Sequence, residues 1–425
     1  MRVVKGFLVS LLLSGCAARA FAVYTPDFDG GVDVKLAIQA AIESAASAGG
    51  LVPEPARPAP ERSVWVSMEK NDVGALDDAL FKRAPVAQSK KIAVYEFDAA
   101  ELGRLADGMH RAFLRAPGFF AHDTLEAALE DLKTPPAPPA RAYAVDQELR
   151  VKQALALVKE DSIVSAIASL SAFRNRYYRS ATGVDASKWL QREWGKFAQN
   201  RPDISVAPFK HAAFPQESVI LTMRGTTEPD KVIVIGGHLD CVAGGGDNPA
   251  PGADDNASGV AVTQEVIRAL VEAGYKPAKT IKFIAFAAEE VGLRGSGDVA
   301  AAFKKAGTAV DGMLNLDMVN YKGSPLDIYF VSDNTSAGQN AFLGRLLDTY
   351  TDYTWGSFKC GYGCSDHASW TKNGYPASLP FESTFEQYNP FIHKATDTLA
   401  QTGGRAEQAL KFARLAVAYA VELAK

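Results

Sequence analysis

Five residues suited to binding hard or borderline metal ions stand at the ends of apolar runs or on loops beside them: His238, Asp255, Glu290, Asp317 and His393. Mixed imidazole and carboxylate donors suit zinc, whereas calcium and magnesium favour oxygen alone. A single catalytic zinc needs three protein ligands. Five are better matched by two ions sharing a carboxylate, a hydrolytic arrangement in which the metals sit about 3.5–4 Å apart. Asp240 follows His238 by two residues on extended backbone, where it can accept the imidazole N–H and fix the ring. Glu289 adjoins Glu290, and neighbours on extended backbone point in different directions. Glu290 can therefore hold metal while Glu289 faces a water as general base.

The elements that must position these groups follow from the pattern around them. Ser218–Met223, Lys231–Ile235, Ile281–Ala287, Met313–Asp317 and Leu326–Val331 read as strands, Ile281–Ala287 as one buried on both faces. Leu149–Leu170, Ala186–Phe197, Val260–Ala273 and Ala406–Ala424 carry apolar residues at helical spacing. Strands alternating with helices predict an α/β fold: a mixed, largely parallel central sheet flanked by helices. In such sheets, ligands collect beyond the carboxyl ends of the strands. That rule places His238, Asp255 and Glu290 at one rim.

A chain of 425 residues exceeds one typical domain. Residues 1–22 resemble an export signal: Arg2 and Lys5, an apolar core from Phe7 to Leu13, and Ala20-Phe21-Ala22 before a cut. Leu13-Ser14-Gly15-Cys16 offers a rival route, lipidation at Cys16; release into the periplasm or medium is favoured over a lipid anchor. Residues 23–132 read as a small α+β domain, with a helix at Val34–Ala48, strands at Val64–Met68 and Ile92–Phe97, and helices at Leu102–Phe113 and Leu125–Leu132. It holds no ligand cluster, and His110 and His122 read as surface or packing residues. Residues 133–143 form a Pro-rich linker and residues 144–425 the second domain. An export signal, a separable first domain and a linker open to proteolysis suggest a propeptide; a permanent accessory domain is the alternative.

Net charge is −4, which gives no electrostatic case for nucleic acid. After the N-terminus no stretch is long and apolar enough to span a membrane. Cys360 and Cys364 form a close pair, and in an exported protein a disulfide is expected. Cys241 remains over, as a buried small hydrophobe or as a reactive thiol beside the metals.

The segments Gly-Gly-His238-Leu-Asp240, Pro-Gly-Ala-Asp-Asp255-Asn-Ala-Ser-Gly, Ala-Ala-Glu289-Glu290-Val-Gly-Leu-Arg-Gly-Ser, Leu-Asp317-Met-Val-Asn-Tyr, Cys360-Gly-Tyr-Gly-Cys364-Ser-Asp-His-Ala-Ser-Trp and Ile392-His393 together resemble the secreted bacterial leucyl aminopeptidases of metallopeptidase family 28. The likeness runs in order from about Ala144 to the C-terminus, and it implies two zinc ions. Asp255 would bridge them, one ion also taking His238 and Asp317, the other Glu290 and His393. Glu289 would be the general base and Tyr362 a donor to the developing oxyanion. An apolar pocket would be formed by Met318, Val331, Leu379, Phe381, Phe385, Tyr388 and Ile392. The peptide bond after Asp255 would be cis. The substrate would be a peptide or protein N-terminus with a large apolar first residue, and the enzyme a monomer made as a zymogen. The sequence departs from the family pattern at Cys241 and Asn256; neither removes a ligand. His367 has no metal position left to fill, His211 reads as an ordinary residue near a polar loop, and Arg294 and Asp254 read as structural. A different di-zinc exopeptidase for acidic substrates would want an arginine-lined pocket, and a non-catalytic binding module would have lost ligands or the base.

Overall fold

The computed structural model describes residues 63–73, 76, 83–113, 118–133, 141–244, 246 and 248–425. The expected export signal, Cys16, the helix at Val34–Ala48 and most of the linker lie outside them. Residues 61–425 form one compact unit.

The chain first builds a small antiparallel sheet. Strands β1 (Ser63–Glu69), β2 (Ala87–Gln88), β3 (Ile92–Asp98) and β4 (Phe119–His122) lie in the order β2-β3-β1-β4. Val64, Val66 and Met68 alternate inward on β1 and share a core with Leu102, Leu105 and Met109 of helix α1 (Leu102–Phe113). Asp98 caps the 3-10 turn leading into α1, and Glu101 returns the bond to the Asp98 N–H, a reciprocal capping box. Helix α2 (Leu125–Glu130) starts at Thr124, whose hydroxyl accepts from Ala127 N–H.

Three helices follow: α3 (Glu148–Leu155), α4 (Glu160–Ser171) and α5 (Ala181–Gly195). The single helix expected over Leu149–Leu170 is broken at 156–159. Lys159 is extended (φ −125°, ψ 125°), and its N–H donates to Glu265 Oε1 at 2.6 Å, while Leu157 and Val158 pack on the core. Tertiary capping and burial override a continuous helical pattern there.

The central sheet comprises β5 (Ile204–Phe209), β6 (Ser218–Met223), β7 (Glu228–His238), β8 (Lys279–Phe286), β9 (Ala309–Asn315) and, beyond β10 (Ile328–Val331) and β11 (Trp355–Phe358), the short β12 (Ala377–Ser378). Its order is β12-β9-β7-β8-β6-β5, with β12, β9, β7 and β8 parallel and β6 and β5 antiparallel at one side. This is the mixed, largely parallel arrangement that the alternating pattern predicts. The edge strand β5 was not foreseen: it is half exposed and contains Pro208, so it lacks a clear apolar run. Helices α6 (Gly259–Glu272), α7 (Arg294–Lys305), α8 (Ala337–Tyr350), α9 (His367–Lys372) and α10 (Glu407–Leu423) complete the layers. A second small sheet runs β11-β10-β13, where β13 is Pro380–Phe381.

Alternation on the central strands divides the core between two faces. Ile233, Ile235, Ile281 and Phe283 pack with α6 and α10, whereas Val232, Val234, Ile284 and Phe286 pack with Trp370 and Val299 on the other side. Two covered faces explain the near-continuous apolar run of β8. The C-terminal ends of β7, β8 and β9 therefore emerge side by side on a rigid base.

Candidate metal centre

His238 is the last residue of β7, Glu289 and Glu290 follow β8, and Asp317 lies two residues beyond β9. Asp255 sits on the turn into α6, and His393 on a turn after β13 with φ 55°. His238 Nε2 is 3.2 Å from Asp255 Oδ1 and 3.2 Å from Asp317 Oδ1. His393 Nε2 is 3.2 Å from Asp255 Oδ2 and 2.7 Å from Glu290 Oε2. Two ligand groups result, His238–Asp255–Asp317 and Asp255–Glu290–His393, joined by the two oxygens of Asp255. All five side chains are buried, as is Glu289, whose Oε2 lies 4.0 Å from His238 Nε2.

The residues around the centre fix these orientations. His238 Nδ1 lies 3.0 Å from the Asp240 backbone carbonyl, which can only accept, so Nδ1 carries the proton and Nε2 faces the ligand group. The Asp240 carboxylate, expected to take that proton, stands off at 3.7 Å. It accepts instead the backbone N–H groups of Glu289 (2.9 Å) and Glu290 (3.2 Å), fixing from behind the backbone that carries both side chains. The Asp255 turn is held from the opposite side. Asp397 accepts the N–H groups of Asp254 and Asp255, each at 3.1 Å. Asp254 receives Asn320 N–H and the Asn389 amide, both at 2.9 Å. The Asp255–Asn256 peptide is cis, and the Asn256 side chain bridges Gly259 N–H and Leu316 O, each at 2.9 Å.

Sequence reasoning missed Asp397, Glu382, Asn389 and Arg176. Glu382 was open to discovery, because a carboxylate directly after Leu379-Pro-Phe381 is a poor core residue without partners. It accepts the N–H groups of Tyr321 (2.7 Å) and Asn389 (3.1 Å). Asp397 and Arg176 carry no such cue, since their partners are backbone groups distant in sequence. His367 is fully buried outside both ligand groups, and burial pushes its pKa down to about 3. His211 lies on the loop between β5 and β6 and is buried there between Asp298 (2.7 Å) and the Ser218 hydroxyl (2.8 Å). Cys241 is buried, donates to Ala250 O at 3.0 Å, and has its pKa pushed up to about 12 by burial; it is the small hydrophobe of the two alternatives.

The charge state of the donor set fits bound cations. Burial opposes the His238 and His393 cations, yet the carboxylates facing them hold both pKa values well above the ordinary range. Burial raises Glu290 to about 7 and Glu289 well above the carboxylate range. The oxygens of Glu289 and Glu290 receive no aligned hydrogen bond among the described residues. Buried carboxylates are costly unless paired or bound to a cation. The site therefore has the charge, donor chemistry and grouping for two dications.

Beside Asp317 opens an apolar pocket lined by Met318, Val331, Leu379, Phe381, Phe385, Tyr388 and Ile392, with Phe358 and Tyr362. The Cys360–Cys364 disulfide also lines it, and the Tyr362 ring lies 6.2 Å from that of Phe385. Phe358 was not foreseen; its place on β11 emerges only from the second sheet. No arginine or lysine is among the lining residues.

Comparison with known proteins agrees with this architecture. The model of peptidase family M28 matches residues 218–418. A probable leucine aminopeptidase of Arthroderma otae is 36% identical over 287 residues, 66% of this chain and 78% of that protein. The crystal structure of the LapA aminopeptidase of Legionella pneumophila is similar with a TM-score of 0.76 and 26% identity, covering 85% of this chain and 98% of that one. LapB of the same organism gives 0.74 and 27%, covering 85% and 99%. The chain belongs to peptidase family M28. It is a zinc metalloaminopeptidase of that family. No helix of the described residues is long and apolar enough to cross a membrane.

Proposed function

We propose that this is a secreted aminopeptidase with two zinc ions, made as a zymogen, that removes large apolar residues such as Leu or Phe from peptide N-termini. The observation that carries the reading is the placement of Asp255, with one oxygen toward each imidazole-containing group. His238, Asp317 and Asp255 would hold one ion; Glu290, His393 and Asp255 the other. When bound, zinc supplies Lewis acidity for the carbonyl and an activated water. The protein's own groups do the rest. Glu289, buried beside His238 and free of hydrogen bonds on its oxygens, takes the proton of the attacking water and returns it to the leaving amine. Asp240 keeps Glu289 and Glu290 aligned. Tyr362, on the disulfide loop at the pocket wall, donates to the oxyanion. The aromatic and aliphatic lining receives the first side chain and offers no cation for an acidic one.

The export signal at residues 1–22 and the linker at 133–143 support secretion and processing of residues 23–132, and the protein acts as a monomer. The test is hydrolysis of Leu- and Phe-p-nitroanilide by the processed protein before and after chelation. Turnover that ignores chelation, or that favours Glu-p-nitroanilide, overturns the reading.

A further inference from the structure

We infer that Ser218, His211 and Asp298 form a clamp on the backbone of Ala287 that positions the Glu289–Glu290 turn, and that their Ser–His–Asp connectivity serves this purpose and not nucleophilic attack. This rests on the aminopeptidase reading and adds positioning residues that act through Glu289 and Glu290.

The clamp begins where the sheet ladder stops. β6 and β8 pair with Val219 opposite Ala285, so the same register would set Glu217 opposite Ala287. β6 starts only at Ser218, and the Glu217 carbonyl accepts the Ser187 hydroxyl at 2.7 Å. The Ala287 N–H donates instead to Ser218 Oγ at 2.9 Å, so a side chain replaces the missing strand carbonyl. Ser218 Oγ lies 2.8 Å from His211 Nε2, and His211 Nδ1 lies 2.7 Å from Asp298 Oδ2. A carboxylate only accepts, so Nδ1 carries the proton. Nε2 then accepts the hydroxyl proton, and a lone pair of the hydroxyl is left for Ala287. Each donor in the chain has its acceptor.

Three segments thereby meet on one residue: the β5–β6 loop through His211, the first residue of β6, and α7 through Asp298. Their target lies two residues before Glu289. Ala288, between the two, has φ 54°, a left-handed conformation that an L side chain keeps only where its surroundings impose it. Ser218 holds the chain before this kink, and Asp240 holds the Glu289 and Glu290 N–H groups after it. Arg294 N–H donates to the Ala288 carbonyl at 3.0 Å. The kink that brings Glu289 Oε2 to 4.0 Å from His238 is thus fixed on both sides. Nucleophilic attack would need a hydroxyl open to substrate, whereas Ser218 is fully buried and its hydroxyl is engaged as donor and acceptor.

The test compares zinc-loaded wild type with Ser218→Ala, His211→Ala, His211→Gln and Asp298→Ala. The protein is processed as for the p-nitroanilide assay. Turnover of Leu-p-nitroanilide, zinc affinity by chelator competition, melting temperature and hydrogen exchange of the amides at 285–290 are read on each. Ser218→Ala and His211→Ala should lower kcat about 10–100-fold, the effect of misplacing a reacting group by up to about 1 Å. KM should stay within about twofold, because ground-state binding is untouched. Zinc affinity should fall about tenfold, since Glu290 shares the turn, and the Ala287 amide should exchange faster. His211→Gln sets an amide oxygen near the Nε2 position and should recover part of the kcat loss. Asp298 is half exposed, so Asp298→Ala should fold even where a buried variant does not, and it should move the same readouts in the same direction. Variants that lower only the melting temperature, with kcat and zinc affinity unchanged, would overturn the inference, as would labelling of Ser218 by a fluorophosphonate. Weaker zinc binding and faster exchange in the variants, with no turnover even by wild type, would uphold the clamp and sink the aminopeptidase reading instead.

Discussion

Asp255 turns one carboxylate oxygen to His238 and the other to His393, each 3.2 Å from a ring nitrogen. One residue thus joins two ligand groups that would otherwise be separate half-sites. Asp255→Asn replaces one acceptor oxygen by an NH2 group that can only donate. Both ions should be lost or greatly weakened, with turnover falling by about 10²–10³ at the level of an essential electrostatic group. Metal content by mass spectrometry and turnover on Leu-p-nitroanilide check this together. Full occupancy at normal turnover would show that Asp255 does not bridge.

Glu289 is a neighbour of a ligand but belongs to neither ligand group. Glu289→Gln keeps shape and removes the base. Turnover should drop roughly 10²–10⁴-fold, the usual contribution of general base catalysis. Zinc content and melting temperature should stay near wild type, because no metal donor is lost. A matching loss of zinc would make Glu289 a ligand instead.

Asp397 touches no ligand side chain yet accepts the N–H groups of Asp254 and Asp255. Asp397→Ala leaves both donors buried without that acceptor. Zinc affinity should fall about 10–100-fold, as for other groups that orient ligands from behind. Asp397→Asn retains one acceptor oxygen and should restore part of the affinity. Competition with a graded series of chelators measures both.

How much of this was legible in the sequence depends on where each residue's partners lie. His238, Glu289, Glu290 and Asp317 could be placed because each terminates an apolar run, and the pattern of strands and helices orients those ends together. His393 follows no strand, and its assignment needed the resemblance of Ile392-His393 to a family motif. The break at 156–159 could not be read, because its cause is Glu265, a residue a hundred positions away. For the same reason His110 reads as a surface or packing residue: its neighbour His393 is distant in the chain and near only in the fold. The Asp240 carboxylate was assigned to His238 on spacing, whereas the extended backbone puts its carbonyl there and frees the side chain for β8's exit loop.

Acid should loosen the N-terminal sheet. Burial holds the His122 pKa below 6.5, against the pull of the Asp131 hydrogen bond. Asp131 lies at about 2 rather than 3.8: burial raises it, but His122 and Lys372 prevail. Both groups have folded pKa values depressed below their unfolded ones, so both contribute stability at neutral pH and lose it as pH falls. The His122 part goes first, below pH 6.5, and the Asp131 part between about pH 4 and about 2. Melting temperatures of wild type and His122→Gln across this range should converge on acidification. A wild-type advantage that grows below pH 6.5 would reverse the sign.

Arg176 is fully buried, and its guanidinium donates to four backbone carbonyls: Leu239 (2.7 Å), Leu170 (3.2 Å), Pro251 (2.6 Å) and Gly252 (2.8 Å). Three of those carbonyls belong to the loop that leads from His238 to Asp255, and the fourth ends α4. One cation thus ties the first helices to the loop between two candidate metal ligands. The planar fork matters, because its donors point in several directions at once. Arg176→Lys can satisfy only part of the set, and Arg176→Met satisfies none of it. Leaving buried carbonyl acceptors without their donor costs about 1–3 kcal/mol. Arg176→Met should lose that much in denaturant unfolding, with Arg176→Lys in between. Zinc affinity should fall in parallel, since the loop sets the approach of Asp255 to His238. Stability lost with zinc affinity intact would show that the turn is held by Asp397 and Asp254 alone.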